Sequence, residues 1–176
     1  MPHHTHNPIP DSYWVEPGRL MAGEYPGLPD EAHARPKLRW LLENRVSFFL
    51  NLTEAGEADL LSYASWLEEE AADLGVTPTH VRMPIADMGV PTREHMAAIQ
   101  KALETAVDAG RTVYVHCYGG IGRTGTVVGC YLVSRGLNGA SALERIAVLR
   151  QHIPAGWRPS PETAEQVAMV MGWKSL

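Results

Sequence analysis

The chain has 176 residues, of which 45% are hydrophobic and 20% charged, values typical of an ordinary globular protein with one core. Its formal net charge is −5 and its lysines and arginines are scattered, which argues against binding to nucleic acid or to an anionic membrane. The N-terminus lacks the charged and apolar regions of a signal peptide, and no apolar run approaches the ~20 residues of a membrane span. We therefore expect a cytoplasmic protein with no membrane partner.

Residues 1–11 are rich in His and Pro and show no periodicity, so we expect a mobile N-terminal leader followed by a single domain over 12–176. The leader contains His3, His4 and His6, a trio to which a stray metal ion could bind, but a solvated tail is the favoured interpretation.

Strands and helices are predicted to alternate along the rest of the chain. Two short strands flank the Pro17-Gly18 turn, and Asp30 and Thr92 are predicted N-caps of helices. Further strands are expected over 46–52, 80–85 and 113–116, with helices over 30–44, 59–74, 92–108, 126–133, 141–152 and 162–171. This order predicts an α/β fold in which a central, mainly parallel sheet carries helices on both faces. Ligands of such folds bind beyond the carboxyl ends of the strands.

A glycine-rich loop follows the strand at 113–116, opens with Cys117 and closes with Arg123. Because an apolar helix comes next, backbone N–H groups and the positive end of the helix dipole point into the loop and make it an anion site. The predicted substrate-binding residues are Tyr118, Gly119, Gly120, Ile121, Gly122 and Arg123.

Cys117 is the predicted nucleophile, because loop amides, the helix dipole and Arg123 all favour a thiolate. The alternative is a small buried core residue, since free cysteine is among the most buried residue types. The other cysteine, Cys130, lies two turns into an apolar helix, where a core position is favoured over a resolving role. With two cysteines in a reducing cytosol, no disulfide framework is expected.

Three further residues have predicted roles around this loop. The planar fork of Arg123 can bind two phosphate oxygens, and the match improves as the phosphoryl group flattens in the transition state. Thr124 is predicted to place its hydroxyl near the sulfur and to stabilise the thiolate, which is compatible with a helix-start hydrogen bond. His116 is expected to organise the loop backbone rather than to transfer protons.

Asp87 is the predicted general acid, since breaking a phosphate ester requires a proton for the leaving oxygen. It follows a separate strand, and both strands are expected to end at the same edge of the sheet, so its loop can reach over Cys117. The alternative is a turn-forming aspartate beside Gly89.

The motif His116-Cys117-x5-Arg123-Thr124 resembles the signature of cysteine-dependent protein tyrosine phosphatases. Asp87 falls where the small dual-specificity branch keeps its general acid. The loop and the upstream Pro84-Ile85-Ala86-Asp87 are similar to phosphatases associated with cyclin-dependent kinase inhibition. The likeness spans roughly residues 13–170.

This resemblance implies a protein tyrosine phosphatase-like fold and a two-step mechanism without metal or other cofactor. Cys117 would form a phosphocysteine while Asp87 protonates the leaving hydroxyl, and Asp87 would then act as base for the hydrolytic water. Gln166 matches the place where related enzymes keep a glutamine that positions this water, and a solvated helix glutamine is the alternative.

The loop interior contains no Lys or Arg, whereas relatives that dephosphorylate inositol lipids usually have basic residues there. No segment resembles the tyrosine-recognition loop of the larger tyrosine-specific enzymes. We therefore expect a shallower site for phosphotyrosine and for phosphoserine or phosphothreonine, with a phosphorylated protein or peptide as partner.

Other functions are compatible with a cysteine in an anion-binding loop. One is a phosphatase of a non-protein substrate such as an inositol or sugar phosphate. Another is an arsenate reductase or sulfurtransferase, although an arsenate reductase usually needs resolving cysteines and only Cys130 is available. The third is a non-catalytic pseudophosphatase that binds phosphate, against which the joint presence of Cys117, Arg123 and Asp87 argues.

Overall fold

A computed structural model describes residues 6–174 of the chain. Its strands are Ser12–Glu16 (β1), Leu20–Gly23 (β2), Val46–Asn51 (β3), Thr79–Arg82 (β4) and Thr112–His116 (β5). Its α-helices are Glu31–Glu43 (α1), Ala64–Leu74 (α2), Arg93–Asp108 (α3), Gly122–Ser134 (α4), Gly139–Arg150 (α5) and Ala164–Met171 (α6). Short 3₁₀ turns lie at Glu57–Asp59 and Pro154–Trp157.

The five strands form one sheet in the order β1-β2-β5-β3-β4. Only the β1–β2 pair is antiparallel, and the other three pairs are parallel. Alternate residues of the central strand β5 face opposite sides: Val113 and Val115 pack in the core beneath α3 to α6, and Tyr114 packs in the core beneath α1 and α2. The prediction of a mainly parallel sheet covered on both faces is confirmed.

Two of the predicted helix starts are confirmed by their capping bonds. The side chain of Asp30 accepts a hydrogen bond from the backbone N–H of His33, and that of Thr92 accepts one from His95, both at 3.1 Å. Each bond satisfies a backbone donor that the first turn of a helix leaves without a partner.

The helix predicted over 59–74 begins only at Ala64, so its predicted start is wrong. Gly56, Ala58 and Asp59 all have positive φ angles, and this left-handed backbone cannot continue into a right-handed helix. Leu61, which the predicted helix would have included, lies in the non-helical stretch before Ala64 and is 58% exposed. The irregular segment has a functional consequence, because it carries Glu57 to the candidate site.

Helix α4 also begins earlier than predicted, at Gly122 instead of residue 126, and α6 begins at Ala164 instead of residue 162. Arg123 and Thr124 therefore lie in the first turn of α4. None of the helices within residues 6–174 combines the length and apolar character that crossing a membrane demands.

Part of the predicted leader packs against the domain. Ile9 is fully buried in the core beneath α1 and α2, and the Ser12 hydroxyl donates to its carbonyl at 2.7 Å. The Asp11 carboxylate accepts a hydrogen bond from the backbone N–H of Ala155 at 2.7 Å. His3 and His4 lie outside the described residues.

Candidate active site

The glycine-rich loop leaves the carboxyl end of β5 and enters α4, at the sheet edge where the sequence places it. Neighbouring segments hold its backbone: Leu52 N–H donates to the His116 carbonyl and Tyr25 N–H to the Tyr118 carbonyl, both at 2.9 Å. Gly120 has a φ of +71°, and a Cβ atom there would clash with the backbone of Gly23. The loop conformation therefore requires glycine at this position.

Cys117 is 2% exposed and lies at a cavity of about 160 Å³. The other residues that line this cavity are Asp87, Met88, Tyr118, Gly119, Ile121, Gly122, Arg123, Arg158 and Glu162. Five of the six predicted substrate-binding residues are among them. The sixth, Gly120, turns the loop against β2 instead.

Arg123 is held in place by the carboxylate of Glu57, a residue that was not among the predicted site residues. Its Nη1 and Nη2 atoms donate to the two carboxylate oxygens of Glu57 at 2.6 Å each, and Nη1 also donates to the Ile85 carbonyl at 3.0 Å. The Arg123 side chain is only 1% exposed. These hydrogen bonds from Arg123 hold the pKa of Glu57 below its ordinary value, so the carboxylate is charged at neutral pH.

Asp87 reaches the same guanidinium from a different loop. Its Oδ1 atom lies 3.0 Å from Nη2 of Arg123, while its side chain is 63% exposed. The turn at residues 86–89 that carries it is closed by a hydrogen bond from Gly89 N–H to the Ala86 carbonyl, and Met88 within it has a φ of +61°. The structure thus brings Asp87, Arg123 and Cys117 to one cavity.

Three hydrogen bonds, two to Glu57 and one to the Ile85 carbonyl, and the ion-pair contact with Asp87 surround the two Nη atoms of Arg123. The Asp87 contact is the exposed one of the four. A phosphoryl group that binds the fork of Arg123 has to displace Asp87 from Nη2.

His116 lies behind the loop and is fully buried. Its Nδ1 atom is 3.1 Å from the Cys117 carbonyl and its Nε2 atom is 2.6 Å from the hydroxyl of the buried Tyr63. Burial lowers the pKa of His116 to about 3, so the ring is neutral, with Nδ1–H donating to the carbonyl and Nε2 accepting from the tyrosine. In this state it supports the backbone of the loop.

A family model for the DSP-PTPase phosphatase domain of the Swiss Army Knife type, PTP-SAK, matches residues 10–169. The chain belongs to this family of phosphatases. This match confirms the predicted membership of the small dual-specificity branch of the protein tyrosine phosphatase superfamily.

Curated relatives of this PTP-SAK chain include phosphatidylglycerophosphatase and protein-tyrosine phosphatase 1 of Rattus norvegicus, 34% identical over 125 residues, which are 69% of the chain and 61% of the relative. Putative tyrosine phosphatase 067L of Invertebrate iridescent virus 3 is 33% identical over 91 residues, 49% of the chain and 34% of the relative. Uncharacterized protein MJECL20 of Methanocaldococcus jannaschii is 47% identical over 104 residues, 59% of the chain and 63% of the relative. The chain thus spans less than two thirds of the length of these relatives.

Solved structures share the fold. The active form of the phosphatase Tk-PTP is 28% identical to this PTP-SAK chain, with a TM-score of 0.67 and 92% and 94% of the two chains covered. Kinase associated phosphatase, at 21% identity and a TM-score of 0.65 over 86% and 83% of the chains, supports the fold alone.

Gln166 is fully buried in this PTP-SAK domain, so the alternative of a solvated helix glutamine is wrong. Its Oε1 atom accepts hydrogen bonds from the N–H groups of Glu162 and Thr163, and its Nε2 atom donates to the Gly89 carbonyl at 3.1 Å. It therefore joins the start of α6 to the turn that carries Asp87.

Two other predictions concern the hydroxyl of Thr124 and the position of Cys130. The Thr124 hydroxyl is buried and has no hydrogen-bond partner among the described residues, so its contact with the Cys117 sulfur stays a prediction. Cys130 is fully buried and burial raises its pKa to about 12, which favours the predicted core position and leaves it unreactive as a resolving thiol.

Arg158 and Glu162 also line the cavity, from the segment before α6, and neither was among the predicted site residues. Arg158 donates to Glu162 at 2.6 Å, and the buried Arg150 donates to the backbone carbonyl of Arg158 at 2.7 Å. No motif marks these residues, because their place at the cavity depends on how a loop about 40 residues after Cys117 folds back. No motif marks Glu57 either. The one indication of its role in the sequence is its position in the loop after β3, the strand that pairs with β5.

Proposed function

We propose that this PTP-SAK protein is a metal-independent phosphatase that hydrolyses phosphotyrosine and phosphoserine or phosphothreonine in proteins through a phosphocysteine intermediate. The observation that carries the proposal is the convergence of a loop cysteine, a buried arginine and an exposed aspartate on one small cavity. A nucleophile, an anion clamp and a proton donor are the three groups that phosphate ester cleavage by this route requires.

In the first step the Cys117 thiolate attacks phosphorus, and the bond from phosphorus to the leaving oxygen breaks. Loop N–H groups and Arg123 hold the three equatorial oxygens, and the clamp strengthens as these oxygens spread in the transition state. Glu57 fixes the plane of the guanidinium through its two hydrogen bonds, so little reorganisation is needed when phosphate arrives.

Asp87 supplies the proton for the leaving oxygen. The incoming phosphoryl group displaces its carboxyl group from Nη2 of Arg123, and the turn at residues 86–89 keeps that group at the cavity mouth. In the second step Asp87 takes a proton from water, the water oxygen attacks phosphorus, and the sulfur leaves as a thiolate that helix and loop dipoles stabilise. Inorganic phosphate is the product.

The substrate assignment to phosphorylated protein is supported by the neutral loop interior. Only one further cationic side chain lines the cavity among the described residues, that of Arg158, and its partner Glu162 offsets its charge. The two unpaired cysteines are compatible with the reducing cytoplasm in which we place this enzyme.

A second candidate is a phosphatase of a non-protein phosphate, such as an inositol phosphate or a phospholipid. It is favoured by the rat relative, which is named both a phosphatidylglycerophosphatase and a protein-tyrosine phosphatase. A structural neighbour, PTPMT1, has been crystallised in complex with PI(5)P.

One panel separates these candidates. Phosphotyrosyl and phosphoseryl peptides, inositol phosphates and phosphatidylglycerophosphate are supplied with EDTA present, and kcat/KM is measured for each. We expect the phosphopeptides to have the highest values and Cys117→Ser to abolish turnover, while Cys130→Ala serves as the matched cysteine control. Faster hydrolysis of a non-protein phosphate would select the second candidate, and buffer-level rates throughout would point to a pseudophosphatase.

A further inference from the structure

The side-chain amide of Gln166 forms three hydrogen bonds, all of them to backbone groups. Its Oε1 atom accepts two N–H groups, at 3.0 Å from Glu162 and 3.1 Å from Thr163, and one Nε2–H donates to the Gly89 carbonyl. A primary amide has two acceptor sites and two donors, so three of four capacities are committed. This leaves one N–H for any contact with substrate or water.

The bond to Gly89 anchors one side of the turn that carries Asp87. Two residues before Asp87, the Ile85 carbonyl accepts from Arg123 at 3.0 Å, and two residues after it, the Gly89 carbonyl accepts from Gln166 at 3.1 Å. The Asp87 side chain itself is exposed and contacts Arg123 and its own turn. Its position over the cavity therefore depends on backbone anchors on both sides of it, and Gln166 supplies an anchor on the side after Asp87.

Gln166 also lies against the anion-binding loop. A Cβ atom on Gly122 would be 3.1 Å from both its Nε2 and its Oε1 atom. The buried amide thus stands between Gly122 of the loop and Gly89 of the turn, and it fixes the spacing between the two.

We propose that Gln166 is a positioning residue for Asp87, which it serves by holding the Gly89 carbonyl, and not chiefly a residue that orients the hydrolytic water. This inference rests on the proposed function, because it needs Asp87 to be the general acid. Loss of the anchor lets the turn at residues 86–89 shift, and a displaced carboxyl group protonates the leaving oxygen less often.

Positioning the acid Asp87 and orienting the hydrolytic water affect different kinetic constants. The value of kcat/KM reports the steps up to formation of the phosphocysteine, so a residue that only orients the later water leaves it unchanged. A residue that positions the acid lowers kcat/KM most for leaving groups that need a proton, such as a phenol with a pKa of about 10. It has little effect on a 2,4-dinitrophenyl leaving group, which departs as a stable anion.

Two variants remove the donor to Gly89 in different ways. Gln166→Glu keeps the acceptor that caps α6, since glutamate serves as well as glutamine at this position of a capping box, and replaces Nε2–H by an oxygen. Gln166→Met removes the donor without adding charge. Gln100→Met is the matched control, because Gln100 is a buried glutamine that donates to the Val127 carbonyl away from the cavity.

We expect Gln166→Met to lower kcat/KM for phenyl phosphate by about tenfold and for 2,4-dinitrophenyl phosphate by less than about twofold. The tenfold loss is a part of the 10²- to 10⁴-fold that general acid catalysis contributes. Gln166→Glu should show the same selective loss together with a loss common to both substrates, because its added charge lies against Gly122 of the anion-binding loop. Gln100→Met should leave the ratio of the two values unchanged. In an Asp87→Asn background Gln166→Met should have no further effect on phenyl phosphate, because no acid is left to position.

Equal losses for both substrates in Gln166→Met, or full additivity with Asp87→Asn, would overturn the inference. Unchanged kcat/KM with accumulation of phosphocysteine would assign Gln166 to the water step instead. Failure of the proposed function has a different signature, since Asp87→Asn alone would then leave the hydrolysis of phenyl phosphate unaffected.

Discussion

Glu57 and Arg123 form a bidentate ion pair beneath the candidate site, in which each carboxylate oxygen of Glu57 lies 2.6 Å from one Nη atom of Arg123. The arginine is buried, so the pair neutralises a charge that would be costly to leave alone in the interior. It also presents the guanidinium to the cavity in one orientation. Four predictions follow from this contact, from Asp87, from His116 and from the loop.

Replacing Glu57 by glutamine should impair both stability and catalysis. The substitution leaves the charge of Arg123 poorly compensated, and we expect the free energy of unfolding to fall by about 3 kcal/mol. Urea unfolding at pH 7 measures this loss. We also expect kcat/KM of the folded variant to fall at least tenfold, which corresponds to about 1.4 kcal/mol of transition-state stabilisation. Glu54→Gln, an exposed change in the same loop, is the control, and an equal effect of both variants would refute the role of the pair.

Replacing Asp87 by asparagine should lower turnover and strengthen the binding of inorganic phosphate. We expect kcat to fall by about 10²- to 10⁴-fold for phosphotyrosine, and the basic limb of the pH–rate profile to disappear with the proton donor. Phosphate should bind up to about fivefold more tightly, because it no longer has to displace a carboxylate from Arg123, a contact worth ~1 kcal/mol at an exposed site. Retention of the basic limb in the variant would remove the acid role from Asp87.

The neutral ring of His116 should make stability depend on pH. Its folded pKa is about 3 and its ordinary value is 6.5, so between these values the unfolded state binds a proton that the folded state does not. The stability that the neutral His116 ring contributes is therefore fully present above pH 6.5. It is lost as the pH falls from 6.5 towards 3, by up to ~1.4 kcal/mol per pH unit. Urea unfolding of the wild type and His116→Gln from pH 7 to pH 4 measures this slope.

In His116→Gln the free energy of unfolding should fall less steeply with decreasing pH than in the wild type, by up to ~1.4 kcal/mol per pH unit. His152→Gln, at an exposed histidine, is the control and should keep the wild-type slope. Identical slopes in all three proteins would mean that His116 is protonated in the folded state.

Two adjacent glycines of the loop should respond differently to alanine. Gly120 has a left-handed backbone and lies against Gly23, so Gly120→Ala should lower the free energy of unfolding by ~3 kcal/mol. At Gly119 a Cβ atom would meet its nearest neighbour, Ile121 Cδ1, at 3.8 Å, so Gly119→Ala should change stability by less than ~0.5 kcal/mol. Thermal unfolding of the two variants provides the comparison, and equal losses would contradict the described loop conformation.

Local signals in the sequence were sufficient to predict the fold and the meeting of Cys117, Arg123 and Asp87 at one cavity, while their catalytic roles stay predictions. Cys117 and Asp87 each follow a strand of a parallel sheet, so their meeting at one edge could be predicted from strand order, and Arg123 is tied to Cys117 by the short loop.

The remaining residues of the site depend on backbone that does not follow a periodic pattern. Glu57 reaches Arg123 because Gly56, Ala58 and Asp59 adopt left-handed angles, and the prediction of a helix from residue 59 did not anticipate them. The position of Gln166 was predicted from family likeness, but its contact with Gly89 joins segments 77 residues apart, and no local pattern encodes such a bond.

Trapping the covalent intermediate tests the central claim most directly. The enzyme is mixed with a phosphotyrosyl peptide in EDTA, quenched in acid within the first turnover, digested and analysed by mass spectrometry. We predict one phosphate on the peptide that contains Cys117 and none on the peptide that contains Cys130. The Cys117 adduct should persist in Cys130→Ala, and Cys117→Ser should show neither adduct nor turnover. Wild-type turnover by Cys117→Ser, or hydrolysis that proceeds with no phosphate on Cys117, would contradict the account.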